Sequence, residues 1–163
     1  QLISEEGIYG RIGLMHIDLD GNDYWIWKAL SVVEPIIMIV EYNSVFGCER
    51  AISIPYKENF TRSSAHFSNL FAGSSIISLC DLAEAKGYSF ISCNSAGNNC
   101  YFIKNGYLKD LTPLTAKQGY VESKFRESRD ESFKLNFIRS NKRLEIIKGL
   151  KVYNTRLNKI ENL

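Results

Sequence analysis

Residues 18–23 hold four polar side chains that can move protons or bind cations. Asp18, Asp20, Asn22 and Asp23 follow a largely apolar run that ends at Ile17. Carboxylates that share a cleft act as general bases, or they bind hard divalent cations through oxygen. Which chemistry applies depends on the elements that hold these side chains.

The surrounding pattern predicts a buried strand that runs directly into a helix. The strand ends near Ile17, and Gly21 allows a sharp turn. The helix is indicated by apolar residues at helical spacing: Trp25, Ile26, Ala29, Leu30 and Val33. The acids then lie at the C-terminal end of a strand, where open α/β sheets bind their ligands. A structural alternative is that Asn22 or Asp23 caps the helix by accepting a backbone N–H.

A second polar pair follows the next apolar run, at residues 36–42. This run lacks polar alternation, which predicts a strand covered on both faces of a parallel sheet. Glu41 and Asn43 end it. Since the C-terminal ends of parallel strands around one crossover share a sheet edge, we expect both polar groups to be neighbours.

The rest of the chain is predicted to complete one α/β unit. Residues 45–73 form a long loop that contains His66, interpreted as either a substrate lid or plain structural packing. A helix capped by Ser74 and ended by Gly87 precedes a hairpin of strands 88–93 and 100–103. A charged stretch at 122–131, a small strand or turn at 135–138 and a helix at 141–148 follow.

Composition limits the possible partners. The chain has 163 residues, 45% hydrophobic and 23% charged, which fits a single domain with a real core. A net charge of +2 does not indicate nucleic acid, and no apolar run is long enough to span a membrane. Residues 120–163 hold 11 Lys or Arg against 6 Asp or Glu, so the tail is basic. Four cysteines without a Cys-x-x-Cys pair fit a reducing cytoplasm.

Three segments carry a resemblance to a known family. They are His-Ile-Asp-Leu-Asp-Gly-Asn-Asp-Tyr-Trp-Ile-Trp at 16–27, the strand at 35–43 with its terminal Glu-Tyr-Asn, and Ser-Cys-Asn-Ser-Ala-Gly-Asn-Asn-Cys-Tyr-Phe at 92–102. With the element order, they resemble bacterial FkbM-like methyltransferase relatives from surface-polysaccharide gene clusters. In that Rossmann-like fold, an antiparallel seventh strand lies between the fifth and sixth.

The resemblance implies an S-adenosylmethionine-dependent O-methyltransferase that acts on a sugar or polysaccharide precursor. Such enzymes bind the cofactor mainly through a first half with a Gly-rich turn. Here the spacing of Gly7, Gly10 and Gly13 precedes the strand instead of joining a strand to a helix. We therefore expect residues 1–106 to be the C-terminal half of the sheet, with 107–163 as a basic extension packed on it. We expect this chain to be inactive alone.

The resemblance and the residues together leave several roles open for the polar side chains. In an acceptor pocket, carboxylates or an imidazole near the hydroxyl would take its proton. The catalytic candidates are Asp18, Asp20 and His66. The candidate substrate contacts are Asn22, Asp23, Glu41 and Asn43. A Mg²⁺ ion is the other possibility, with Asp20, Glu41 and Asn43 as its ligands.

Two further expectations concern partners. The alternative to an enzyme is a non-catalytic α/β module that binds a partner, with the basic tail as one candidate surface. A half-sheet also leaves an unpaired edge, which predicts a homodimer through that edge or marginal stability.

Overall fold

The computed structural model describes residues 2–124 and 127–163, and residues 125–126 of the charged stretch lie outside this description. The strands are β1 Gly10–Ile17, β2 Val33–Glu41, β3 Ile52–Ser53, β4 Tyr88–Cys93, β5 Asn99–Lys104, β6 Lys151–Asn154 and β7 Lys159–Asn162. The helices are α1 Leu2–Glu5, α2 Asp23–Ala29, α3 Arg62–Ala65, α4 Ile76–Ala85, α5 Ala116–Gly119 and α6 Asn141–Ile147. None of these helices combines the length and apolarity that crossing a bilayer requires.

The main sheet has four strands in the order β1-β2-β5-β4. β1 and β2 are parallel, whereas β5 is antiparallel to both of its neighbours, β2 and β4. The second strand of the hairpin is thus inserted between β2 and the first strand of the hairpin. The predicted α/β fold, with parallel strands followed by an antiparallel hairpin, is confirmed at this level.

One face of this sheet carries the main core. Side chains of β2 and β5 meet there in register, with Met38 opposite Phe102 and Val40 opposite Cys100, all fully buried. Trp27 of α2 packs against the Phe102 ring at a centroid distance of 4.9 Å. Helix α4 adds a buried stripe: Ile76, Leu79, Leu82 and Ala83.

The opposite face of the sheet is only half-buried. Two rows of side chains lie on it, Leu14 beside Ile37 and Ile103, and His16 beside Ile39 and Tyr101. Leu14 is 53% exposed, and only Ile17 of β1 is buried. The expectation that β1 is a buried strand and β2 is covered on both faces was therefore wrong. Among the described residues, β1 pairs with β2 alone and is an edge strand.

Helix α2 is shorter and rotated relative to the sequence-based expectation. It ends at Ala29, and Val33 already belongs to β2. Ile26 is 39% exposed, whereas Trp27 is 1% exposed. Two helical faces therefore carry apolar residues, and the spacing did not show which face meets the sheet. The cap of α4 is Ser75, which accepts the N–H of Ser78, and Gly87 follows with φ 77°.

A second sheet and core, which the sequence did not predict, occupy the segment interpreted as a lid. β3 pairs with β6, and β6 pairs with β7 in a C-terminal hairpin. Helix α6 begins at Asn141 as expected and packs on the same core. The core combines the loop with the tail: Val45, Phe46, Ile52, Ile54, Leu70, Phe71, Ile147 and Val152. The structure supports the packing alternative for 45–73, because its apolar residues are covered by the tail.

A pair of neighbouring substitutions tests the orientation of α2. Trp27→Ala should lower the free energy of unfolding by about 3–5 kcal/mol, because the side chain is buried against Phe102. Ile26→Ala, one position away and exposed, should cost about 1 kcal/mol or less. Urea unfolding followed by circular dichroism measures both. Equal costs for the two variants would contradict this orientation.

Candidate functional site

The turn between β1 and α2 is built around one buried carboxylate. Asp23 is 0% exposed, and its two oxygens accept the N–H groups of Leu19 at 2.8 Å and Gly21 at 3.0 Å. These donors precede the helix, so Asp23 fixes the turn rather than capping α2. Asn22 occupies the cap position, but its side chain makes no cap hydrogen bond. The helix-cap interpretation was therefore wrong for both residues.

Three acids converge beside this turn, at the C-terminal ends of β1 and β2. Asp18, Asp23 and Glu41 each offer a carboxylate oxygen within 4.8 Å of the other two. Burial raises the pKa of Asp23 from its ordinary 3.8, and the charge of Asp18 adds to the rise, against the two backbone donors. The expected meeting of polar groups from the two strand ends is seen in Asp18 and Glu41. The cluster offers hard oxygen ligands of the kind that Mg²⁺ and Ca²⁺ prefer.

An open cleft of about 550 Å³ starts at Glu41. It is lined by Glu41, Arg62, Ser95, Ala96, Asn98, Lys124 and Glu127. Among the residues that the structure describes, this lining includes two carboxylates and two cations, and Ser95 and Asn98 add neutral hydrogen-bonding groups. Such a lining suits a polar ligand with many hydroxyl groups better than a strongly charged one.

The remaining candidates from the 18–23 segment lie outside the acid cluster. Asp20 points to Arg62, whose Nη1 lies 3.1 Å from its Oδ1. The Asp20 backbone has φ 53°, a left-handed conformation that Asp tolerates in turns. The Asn22 amide donates to the Lys57 carbonyl at 2.8 Å. These two side chains tie the turn to residues 57–62.

The Asn43 side chain is buried, and it forms hydrogen bonds with backbone groups. Its amide nitrogen donates to the carbonyls of Leu70 at 2.8 Å and Ala72 at 2.9 Å, and its oxygen accepts the N–H of Val45. The structure therefore gives Asn43 a supporting role beneath the cleft. Of the metal set proposed from sequence, Asp20 pairs with Arg62, and the Asn43 side-chain oxygen accepts the N–H of Val45. Asp18 and Asp23 accompany Glu41 instead.

His66 is not part of the acid cluster. Its Nδ1 lies 2.8 Å from Ser68 Oγ and accepts the N–H of Ser68, and its ring stacks at a tilt on Phe67. Burial lowers the pKa of this imidazole. Ser68 in turn accepts the N–H of Leu70, so these contacts order the 66–70 segment. Ser68 and Phe67 are local partners of His66, which favours a structural role.

The described residues do not form a cofactor turn for S-adenosylmethionine. Gly21 is the glycine that lies between a strand and a helix, and a Cβ there would lie 2.2 Å from Phe60 Cδ1. The backbone at Gly21 is thus covered by the Phe60 ring. Gly13 lies inside β1, and Gly7 and Gly10 precede it or begin it. We therefore give none of the described residues a role in binding S-adenosylmethionine.

Sequence reasoning missed the cationic side of the cleft. Arg62 reaches Asp20 across 42 positions, and Lys124 and Glu127 enter from the tail. No local spacing indicates such contacts, because they depend on how residues 45–73 and the tail pack together. The basic excess of the tail was the one visible signal.

Substitution of Asn43 separates a supporting role from a ligand-binding role. Asn43→Ala should destabilise the fold by about 3 kcal/mol, because the Leu70, Ala72 and Val45 backbone groups lose their buried partner. Asn105→Ala removes one exposed hydrogen bond, to Ser89, and should cost about 0.5 kcal/mol. Chemical unfolding of both variants provides the measurement. An Asn43 variant as stable as the Asn105 control would refute the supporting role.

Comparison with known proteins does not identify a family or a function for this chain. No protein-family model matches the chain, and no curated protein or solved structure matches it either. A function for the chain therefore has to be argued from its sheet topology, the acid cluster and the adjoining cleft.

Proposed function

We propose that this chain is the acceptor-side half of a Rossmann-like, S-adenosylmethionine-dependent O-methyltransferase. Its acceptor would be a hydroxyl of a sugar or surface-polysaccharide precursor. The observation that carries the proposal is the order β1-β2-β5-β4, with β5 alone antiparallel. This order corresponds to the fourth, fifth, seventh and sixth strands of that fold. The resemblance in residues 16–27 and 92–102 adds sequence support.

The balanced cleft supports a sugar as the acceptor. Arg62, Lys124, Glu41 and Glu127 line it together with Ser95 and Asn98. Sugar hydroxyls donate and accept hydrogen bonds, so they suit alternating carboxylate, amide and cationic groups. Glu41 joins the cleft to the acid cluster. An acceptor hydroxyl beside Glu41 would be oriented there and would lose its proton to a carboxylate.

A divalent cation is part of the same proposal. The cluster of Asp18, Asp23 and Glu41 would hold Mg²⁺, and the buried Asp23 would be fixed by its two backbone donors. When bound, the ion would lower the pKa of the acceptor hydroxyl and neutralise the cluster. Asp20 remains outside as the ion-pair partner of Arg62.

The free edge of β1 is proposed as the place of a further strand. Among the described residues, β1 has one neighbouring strand, β2, and the Leu14 side chain on β1 is 53% exposed to solvent. A second copy paired through this edge would satisfy the unpaired backbone groups. Binding of the cofactor itself is assigned to residues outside this chain, in line with the covered backbone at Gly21.

Calorimetry with S-adenosylmethionine tests the half-fold proposal. Residues 1–163 should give no saturable heat, whereas a chain extended through the upstream part of its reading frame should bind. Tight binding by residues 1–163 would contradict the half-fold. Failure of the extended chain to bind, or a reading frame without such an extension, would contradict the methyltransferase and leave the non-catalytic module.

Cation binding tests the acid cluster independently of the cofactor. Mg²⁺ titrated into residues 1–163 should bind, and Asp18→Asn combined with Glu41→Gln should weaken binding about tenfold or more. Asp110→Asn, an exposed acid outside the cluster, is the matched control and should change nothing. Calorimetry or Mn²⁺-induced relaxation in nuclear magnetic resonance supplies the affinities. Equal affinities in all three proteins would exclude this cluster as the ligand set.

A further inference from the structure

The segment at residues 129–140, here called the amphipathic loop, presents apolar side chains to solvent. Phe133 is 59%, Leu135 48% and Phe137 67% exposed. They lie within five consecutive positions, whereas exposed apolar residues on a protein surface usually occur singly. From this loop and its charges we infer that the chain binds the surface of a bilayer that contains anionic lipids.

The loop holds these side chains outward through an ordered backbone. Asp130 accepts the N–H groups of Ser132 and Lys134, and Ser128 Oγ accepts the N–H of Ile138. Phe133 and Phe137 have φ of 61° and 51°, a region that bulky residues rarely occupy. The exposure is therefore built into the loop. The left-handed backbone costs free energy, and the exposed rings gain little burial to offset that cost, so the loop indicates a surface that is completed by a partner.

The charges around the loop identify that partner. The loop itself carries Asp130 and Glu131, and residues 132–144 carry Lys134, Arg139, Lys142 and Arg143. Arg143 is buried and bonded to Glu122 and Ser123, while the other three are exposed. Exposed cations around protruding apolar side chains match a layer of anionic headgroups above acyl chains.

A groove of about 440 Å³ lies against the same loop. Its described lining combines three apolar residues, Leu135, Phe137 and Ile138, with four charged ones, Lys124, Glu127, Arg129 and Arg139. Glu127 pairs with Arg129, so Lys124 and Arg139 remain as the cations that no other described side chain pairs with. A phosphate above an acyl chain fits this combination.

Charge also argues against a second copy as the occupant. A two-fold contact through the amphipathic loop would bring Lys134, Arg139 and Lys142 of both copies together, and each loop offers one exposed acid, Glu131, against them. The free edge at β1 is a different surface.

Lys124 and Glu127 line both the groove and the cleft at Glu41, so a bilayer at the loop would lie beside that cleft. The inference does not depend on the methyltransferase proposal.

Vesicle co-sedimentation tests the inference. The chain should bind vesicles of phosphatidylcholine with phosphatidylglycerol, but not vesicles of phosphatidylcholine alone, and salt should weaken the binding. Phe133→Ser with Phe137→Ser should lower the partition coefficient about tenfold or more, as should Lys134→Glu with Arg139→Glu and Lys142→Glu. Because these side chains are exposed, the thermal unfolding midpoint should stay close to that of the unchanged chain.

Matched controls use exposed residues elsewhere on the chain. Leu157→Ser with Ile160→Ser removes apolar side chains that are 59% and 51% exposed, and Lys28→Glu with Lys109→Glu reverses exposed cations. Both controls should bind as the unchanged chain does. Equal binding to neutral vesicles, no binding at all, or an equal loss in the controls would overturn the inference. Light scattering that shows a dimer broken by the Phe133 and Phe137 changes would overturn it in favour of a second copy.

Discussion

The site depends on a carboxylate without exposed surface, that of Asp23. By accepting the N–H groups of Leu19 and Gly21, it closes the turn that leads from β1 into α2. The turn sets the direction of α2, and through α2 it sets the depth at which Trp27 enters the core. The same carboxylate lies next to Asp18 and Glu41. One side chain therefore links the core of the main sheet to the chemistry at its edge.

The two cores are joined by hydrogen bonds that cross between them. The Trp25 indole donates to the Ile54 carbonyl, and Asn43 donates to Leu70 and Ala72. Tyr42 donates its hydroxyl hydrogen to the Val121 carbonyl. Polar side chains at the ends of β2 thus reach both residues 45–73 and the tail. This arrangement explains why the cleft at Glu41 has walls from three distant parts of the chain.

Sequence reasoning predicted the elements whose formation depends on local pattern, and it missed the contacts that depend on tertiary packing. Helix α4 and the β4–β5 hairpin have continuous apolar patterns, and both were found. Gly87 was correctly predicted to follow α4, whereas the predicted cap, Ser74, was wrong by one position, because Ser75 accepts the N–H of Ser78. The acids at 18–23 and Glu41 were expected at one sheet edge, because strand ends alone place them there. The β3–β6 pairing joins residue 52 to residue 154. A strand of two residues has no sequence pattern from which so distant a partner could be predicted. Arg62 was missed for the same reason, because its place in the cleft depends on tertiary packing.

The buried carboxyl of Asp23 makes the stability of this sheet edge depend on pH. Since burial raises its pKa above the ordinary 3.8, the folded chain binds this proton more tightly than the unfolded chain does. The contribution of Asp23 is therefore most favourable at pH below 3.8 and is lost as pH rises through the raised value. Burial thus disfavours the ionised form of Asp23, against the backbone N–H groups that favour it. A group with positive charge at the cluster would reverse this cost, which is the physical reason to expect a cation or a cationic ligand group there.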